Sequence, residues 1–153
     1  MSNTSEIFFH KEDISFRFLH KDQIIQWIKE VAKKEKKSIG YINYIFCSDN
    51  YLLELNKDYL NHKTLTDIIT FDNSDGTLIE SDIFISIERV RENAARFETT
   101  FQLELYRVLI HGILHLCGYK DKKEEEKNLM REKENKYITL LNAKYNVPRG
   151  TKQ

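Results

Sequence analysis

Residues 108–121 read VLIHGILHLCGYKD and predict a buried helix that presents two histidines on one face. His111 and His115 stand four positions apart, so their imidazoles project from the same side about one turn apart. Gly118 follows at the position where a helix end takes the left-handed conformation, which glycine adopts at the lowest cost. Beyond this turn the chain can bring the carboxylate of Asp121 back towards both histidines.

This spacing predicts a metal site with three protein ligands. Imidazole nitrogens and a carboxylate oxygen are typical ligands of Zn²⁺, and three protein ligands leave a fourth position for water, as in catalytic sites. We therefore predict one Zn²⁺ per chain, held by His111, His115 and Asp121. Mn²⁺ or another divalent ion is the alternative, because a carboxylate also suits harder cations.

Strand and helix patterns on both sides of this stretch predict an α/β (α+β) fold in the order β-α-β-α-β-β-α-α-α. We expect a small four-stranded mixed sheet, mostly parallel with one antiparallel hairpin strand, covered by about five helices that include a zincin-like metal helix. The two strand–helix–strand units should be parallel, with right-handed crossovers. The predicted strands are 14–18, 39–47, 66–71 and 82–86; the predicted helices are 22–37 with Asp22 as N-cap, 48–59 with Ser48 as N-cap, 86–97, 100–117 and 123–143.

The composition is typical of a globular protein without net charge. The chain has 153 residues, 41% of them hydrophobic, and Lys+Arg and Asp+Glu each number 24. These values exclude collagen-like, low-complexity and disordered classes and predict one domain over residues 1–153. Two cysteines are too few for a disulfide framework, and neither a signal-peptide pattern nor a run of about 18 apolar residues is found. We therefore predict a cytoplasmic protein with no membrane partner.

Three motifs together resemble a known family. HGxLHLxGY at 111–119 is preceded by NxxY at 56–59 and by TDIITF at 66–71, and this combination is similar to the YbeY family of bacterial rRNA maturation endoribonucleases. The resemblance implies a metal-dependent endoribonuclease that is specific for single strands. It further implies a role in maturation of the small-subunit rRNA 3′ end and in ribosome quality control, by attack of a metal-activated water on a phosphodiester. The implied partners are single-stranded rRNA and the small ribosomal subunit, and no DNA is expected.

Two positions depart from the family pattern. The family usually ends its motif in Gly-Tyr-Asp-His, whereas this chain has Lys120 and Asp121 there. A carboxylate ligand makes the metal centre less positive and its bound water less acidic. Leu60 stands where the family carries an arginine that is thought to aid catalysis, and leucine cannot stabilise transition-state charge. Lys63 and Arg107 are the candidates to take over that supporting role.

Other residues near the motifs are candidates for substrate binding. Tyr59 would stack on a base or, equally well, pack on the sheet. Asp67 would position the substrate or support a metal ligand. Thr70 is a further candidate, for which a strand-end cap is the favoured interpretation. The residue that acts as general base is not identifiable from the sequence.

Alternative functions follow from the same metal site. A zinc peptidase would need a glutamate after the first histidine, and the chain has Gly112. Two histidines and one carboxylate also suit Fe(II), although such triads usually lie in a barrel that nothing here predicts. The alternative to an enzyme is a ribosome-associated binding protein with a mainly structural metal. Leu60 favours this alternative, because leucine cannot replace the family arginine.

Several other conspicuous side chains are expected to be structural. Trp27 should lie in the core, Cys47 in a buried strand, and Cys117 on the side of its helix away from the histidines. The remaining histidines lack a partner at ligand spacing and are expected at the surface: His10, His20 and His62.

Overall fold

Four strands and five helices make up the described part of this computed structural model, which covers residues 6–60 and 66–151 without the side chains of residues 59 and 60. Their order along the chain is the predicted one. The strands are β1 (Glu6–Lys11), β2 (Ser38–Cys47), β3 (Ile68–Asp72) and β4 (Leu78–Ser86). The helices are α1 (Lys21–Lys34), α2 (Asp49–Leu60), α3 (Ile87–Arg96), α4 (Phe101–Leu116) and α5 (Glu124–Tyr145).

The strands form one mixed sheet in the order β1-β2-β4-β3. β1 and β2 are parallel, as are β2 and β4, while β3 and β4 form the predicted antiparallel hairpin. The expectation of a second parallel strand–helix–strand unit was wrong. After α2 the chain returns to the edge as β3, antiparallel to the rest, and β4 takes the place beside β2.

The first strand was also predicted in the wrong place. β1 spans Glu6–Lys11 and pairs along the edge of β2 from Tyr41 to Phe46, so that this edge is occupied before the chain reaches residue 14. Residues 14–18 form no strand, although Phe16 is buried and Phe18 packs against the core. The alternation that suggested a strand therefore reports alternate burial of side chains rather than backbone pairing.

The first helix begins and ends slightly earlier than predicted. His20, with a φ of 61°, occupies the N-cap position, and Asp22 lies in the first turn instead of capping it. The helix ends at Lys34, three residues before the expected Lys37. The other predicted cap is correct, because the hydroxyl of Ser48 accepts a hydrogen bond from the N–H of Tyr51. Ser86 and Thr100 cap α3 and α4 in the same way, each accepting from a backbone N–H three residues further on.

The sheet carries helices on both faces, because alternate residues of a strand point to opposite sides. Ile83 and Ile85 of β4 belong to the main core, which also contains the apolar sides of α1, α4 and α5. Phe84 packs in a smaller cluster with Leu52 of α2. Trp27 is fully buried, as predicted, and its indole N–H donates to the carbonyl of Tyr137 at 2.7 Å.

Gly112 sets the distance between α4 and the sheet. A Cβ at this position would lie 3.1 Å from Ile68 Cδ1 and 3.4 Å from Ile83 Cδ1, so the absence of a side chain lets the helix approach closely. On the sheet side of α4 the residues are therefore small or apolar. The histidines face the other way, towards α5 and the loop that follows Gly118.

Within residues 6–60 and 66–151, no helix combines the length and the apolar character that crossing a membrane requires.

Candidate metal centre and adjoining cleft

The end of α4 forms the glycine turn that the sequence predicts. Gly118 has a φ of 104°, and its N–H donates to the carbonyl of His115, while the N–H of Tyr119 donates to the carbonyl of Leu114, both at 3.0 Å. This pair of bonds is the Schellman arrangement, which satisfies the last carbonyls of a helix. The turn reverses the chain and brings Asp121 back over the final turn of α4.

His111, His115 and Asp121 meet at one point. Asp121 Oδ2 lies 3.2 Å from His111 Nε2 and 3.4 Å from His115 Nε2. One potential ligand atom from each of the three residues lies within 4.8 Å of the others, and no other such group of three occurs in the described part of the chain. The three side chains are partly exposed, so a ligand can reach them from solvent.

Each imidazole is oriented by a hydrogen bond at its other nitrogen. His111 Nδ1 lies 2.7 Å from Oε2 of Glu134 on α5, and His115 Nδ1 lies 2.9 Å from the backbone oxygen of Tyr119. A carboxylate and a carbonyl can only accept here, so we assign the proton to Nδ1 in both rings. Both Nε2 lone pairs are then free to bind a metal, as in metal sites whose histidines donate to a carboxylate or carbonyl.

Glu134 connects the metal centre to a positive charge. It is 4% exposed, and its Oε1 accepts a hydrogen bond from Arg107 at 3.0 Å while Oε2 faces His111. Burial lowers the pKa of His111, but the hydrogen bond and charge of Glu134 outweigh it and raise that pKa above the usual 6.5. The electrostatic field at this imidazole therefore favours a positive charge, whether that is a proton or a metal ion.

The donor set fits a divalent metal ion. Two imidazole nitrogens and one carboxylate oxygen converge, their ring partners fix the metal-binding tautomer, and one side remains open. These features match a three-ligand catalytic site better than a closed four-ligand structural site. The geometry does not select among zinc, manganese and similar ions.

A cleft of about 310 Å³ adjoins the triad. Its lining comes from the residue before β3, the end of α3, facing sides of α4 and α5, and the loop between them: Asp67, Asn93, Phe97, Glu104, Arg107, Val108, His111, Asp121, Arg131 and Glu134. Asp67, a predicted substrate-binding residue, and Arg107, a predicted supporting residue, thus lie beside the metal centre. Burial raises the pKa of Asp67, an effect that the nearby His111 opposes.

A family model described as Endoribonuclease YbeY matches residues 6–142. The chain belongs to the YbeY endoribonuclease family. It is 54% identical over 134 residues to the endoribonuclease YbeY of Flavobacterium psychrophilum, covering 88% of this chain and 96% of the relative. The corresponding enzyme of Cytophaga hutchinsonii is 54% identical over 135 residues, covering 88% and 94%. The solution structure of a Thermotoga maritima protein matches with a TM-score of 0.63 and 28% identity, covering 92% of this chain and 91% of that one.

The two departures from the YbeY motif have different positions in the structure. Asp121 stands where the motif usually ends in histidine, and its Oδ2 faces both imidazoles. The side chains of Leu60 and of the predicted base-stacking residue Tyr59 lie outside the described residues, as does all of Lys63. Thr70 lies on β3 but does not line the cleft.

Three acidic residues of this YbeY-family site were not predicted. Glu134 was hidden in a highly charged helix, although its spacing with the buried Met130, Tyr137 and Leu141 marks the inner face of α5. Glu104 lies on α4 about two turns before His111, and Arg107 lies about one turn before it. The three residues form a polar row on an otherwise apolar helix. Glu35 lies far away in sequence, so no local pattern connects it to the site.

Glu35, at the end of α1, contacts the glycine turn through Tyr119. Its Oε1 accepts a hydrogen bond from the Tyr119 hydroxyl at 2.8 Å, and its Oε2 accepts one from Tyr137 and lies 3.4 Å from Lys133 Nζ. The backbone carbonyl of the same Tyr119 orients His115. The carboxylate thereby ties the turn of the metal centre to both α1 and α5.

Glu35→Gln is expected to destabilise the protein most at neutral pH. Burial raises the pKa of Glu35, but hydrogen bonds from Tyr137 and Tyr119 and the charge of Lys133 outweigh it and hold the pKa below 4.5. Such a carboxylate stabilises the fold above its unfolded pKa, and the contribution disappears as the pH falls through the folded pKa. Urea unfolding should show a loss of about 1–2 kcal/mol at neutral pH that shrinks below pH 4.5.

The control for this measurement is Glu132→Gln, at an exposed position next to Lys133 on α5. It removes one negative charge without removing these hydrogen bonds. Equal losses for the two variants, or a loss from Glu35→Gln that does not vary with pH, would contradict the assigned role of Glu35.

The position of Gly112 argues against a peptidase. A side chain here would meet Ile68 and Ile83 in the core, on the opposite side of α4 from the triad. The helix therefore has neither the glutamate of a zinc peptidase nor room for one to reach the metal centre from this position.

Proposed function

We propose that this YbeY-family endoribonuclease cleaves single-stranded rRNA, with the small-subunit rRNA 3′ end as its target and the small ribosomal subunit as its partner. The observation that carries the proposal is the convergence of His111, His115 and Asp121 on one point beside a cleft that also contains arginines. Its role would be rRNA maturation and ribosome quality control. An enzyme that acts on the small ribosomal subunit would be located in the cytoplasm.

We further propose that the three ligands hold Zn²⁺. Bound there, zinc would supply Lewis-acid chemistry for hydrolysis of a phosphodiester. Glu134 and the Tyr119 carbonyl keep the two imidazoles in the required tautomer. Asp121 completes the set from the glycine turn.

Arg107 is the residue best placed to assist catalysis in the absence of an arginine at position 60. Its guanidinium lines the cleft next to His111, and one of its N–H groups is engaged by Glu134. Guanidinium has five N–H donors, so others remain to bind a phosphate oxygen and to stabilise charge that develops on it. Arg131, exposed on α5, adds a second positive charge to the same cleft.

Cleavage assays with matched RNA substrates test this proposal. The zinc-loaded protein should cut a single-stranded oligoribonucleotide that contains the small-subunit 3′ end, and should leave the same sequence intact when it is annealed to its complement. A chelator should abolish cleavage, and added Zn²⁺ should restore it. Failure to cleave, combined with co-sedimentation with small subunits, would instead support the binding protein with a structural metal.

A further inference from the structure

Glu104 is a largely buried residue whose carboxyl group has no hydrogen-bond partner among the described residues. It is 6% exposed, and in the described part of the chain no side-chain hydrogen bond or ion pair engages its oxygens. The side chain lines the cleft beside the metal centre, together with Arg107. No side-chain oxygen in the described part of the chain is fully buried without a hydrogen-bond partner, so the Glu104 oxygens must contact the cleft, where the hydrogen-bond donor of a ligand can reach them.

The position of Glu104 is unfavourable for the charged form of its carboxyl group. Burial raises the pKa of Glu104 to about 7, and Arg107 opposes the increase only partly. An apolar residue would suit the same position on α4, whose neighbours Leu105 and Val108 are buried in the core. A carboxyl at this position therefore has a purpose other than packing.

The rest of the cleft offers two further kinds of contact. Phe97, just after α3, is 60% exposed, which is unusual for so large an apolar ring and leaves its face available for stacking. Arg107 and Arg131 line the same cleft and suit phosphate groups. A carboxylate, an aromatic ring and guanidinium groups together match the base and the backbone of a nucleotide.

The distance between Glu104 and the metal centre favours binding over proton transfer. Seven residues separate Glu104 from His111, or about 10 Å along the helix axis. A general acid or base must come within about 3 Å of the proton that it moves. Glu104 is too far away for that at the triad, but it is well placed for a nucleotide next to the one that is cleaved.

We propose that this cleft is a nucleobase-binding subsite for single-stranded RNA, in which Glu104 accepts a hydrogen bond from the exocyclic amino group of the base while Phe97 stacks on its ring. The inference rests on the proposed function and adds a substrate preference to it. Cytosine, adenine and guanine carry such an amino group, whereas uracil presents a carbonyl oxygen that a carboxylate repels. The enzyme should therefore favour an amino-bearing base next to the cleavage position.

Binding of two mononucleotides to the zinc-loaded protein tests the subsite without any cleavage. CMP and UMP share ribose and phosphate but differ in the amino or carbonyl group of the base. Calorimetry or NMR titration at about pH 8.5, where Glu104 is mainly ionised, should show CMP binding about tenfold more tightly than UMP. Glu104→Met, which keeps the length of the side chain without its oxygens, should remove this ratio, and Glu104→Gln should leave an intermediate one.

Two further variants separate the contribution of stacking on Phe97 from that of the hydrogen bond to Glu104. Phe97→Leu changes an exposed residue and should weaken CMP and UMP by a similar factor of about five or more, because stacking does not depend on the amino group. Glu92→Met removes an exposed carboxylate from α3 and should leave the ratio unchanged. Equal affinities for CMP and UMP in the unmodified protein, or a ratio that survives in Glu104→Met, would overturn the subsite.

A cleavage assay distinguishes failure of this inference from failure of the proposed function. Oligouridylate with a single cytidine should be cut mainly next to that cytidine, and Glu104→Met should lose the preference. Cleavage of RNA without any preference would overturn the subsite and leave the endoribonuclease assignment intact. Preference for CMP in a protein that cuts no RNA would do the reverse.

Discussion

Asp121→Ala should lower the affinity of the protein for Zn²⁺ by at least about a hundredfold, and RNA cleavage should disappear with it. Loss of a residue that only supports a metal ligand already costs about ten- to a hundredfold, so loss of a ligand should cost more. The expectation follows from the distances of 3.2 and 3.4 Å between Asp121 Oδ2 and the two Nε2 atoms. Competition with a chromogenic chelator would measure the affinity, and Co²⁺ absorption would report the coordination geometry.

Two matched variants make this prediction specific. Asp121→His introduces the ligand with which the family motif usually ends, and should restore affinity to within about tenfold, since imidazole is an equally good zinc ligand. Asp22→Ala removes an exposed carboxylate from the first turn of α1 and should leave zinc affinity unchanged. Undiminished zinc binding by Asp121→Ala would show that this carboxylate is not a ligand, and the three-residue metal centre would have to be abandoned.

The convergence of His111, His115 and Asp121 could be predicted from the sequence because each of its determinants is local. The spacing of His111 and His115 fixes their common face through helix geometry alone. Gly118 ends the helix and turns the chain within three residues of Asp121, and the Schellman bonds show that the turn forms as expected. None of these features depends on a distant part of the chain.

The supporting residues could not be predicted in the same way, because they come from distant elements. Glu134 meets His111 only because α5 packs along α4, and Glu35 reaches Tyr119 across 84 positions of sequence. In α5, Glu134 is one of many glutamates, and only its place on the buried face separates it from exposed neighbours such as Glu132. Tertiary packing, not local pattern, selects these residues.

The position of β1 and the direction of β3 also depend on tertiary packing and could not be predicted from local pattern. Residues 14–18 alternate apolar and polar side chains, whereas residues 6–11 contain three consecutive apolar residues, Ile7, Phe8 and Phe9. Both patterns are compatible with a strand, but only one segment can pair with the free edge of β2. The direction of β3 was equally open, because a helix connection permits either a neighbouring parallel strand or a return to the far edge. In the folded sheet β1 occupies the edge beside β2, and β3 occupies the edge beside β4.

Glu134→Ala is expected to affect zinc affinity and stability at once. Zinc binding should weaken about ten- to a hundredfold, because His111 loses the acceptor that fixes its tautomer and orientation. The free energy of unfolding should fall by about 2–3 kcal/mol, because Arg107, whose side chain is 18% exposed, loses its carboxylate partner in a partly buried setting. Chelator competition and urea unfolding of the metal-free protein measure the two effects separately.

The double variant Arg107→Met with Glu134→Leu separates the two roles of this glutamate. Replacing both members of a buried ion pair by apolar side chains is often nearly neutral, so most of the lost stability should return. Zinc affinity should stay low, because His111 still lacks its acceptor. Glu132→Ala, an exposed position on the same helix, is the control for both measurements. If zinc affinity recovered together with stability, Glu134 would act only through the fold, and the hydrogen bond to His111 would have no part in metal binding.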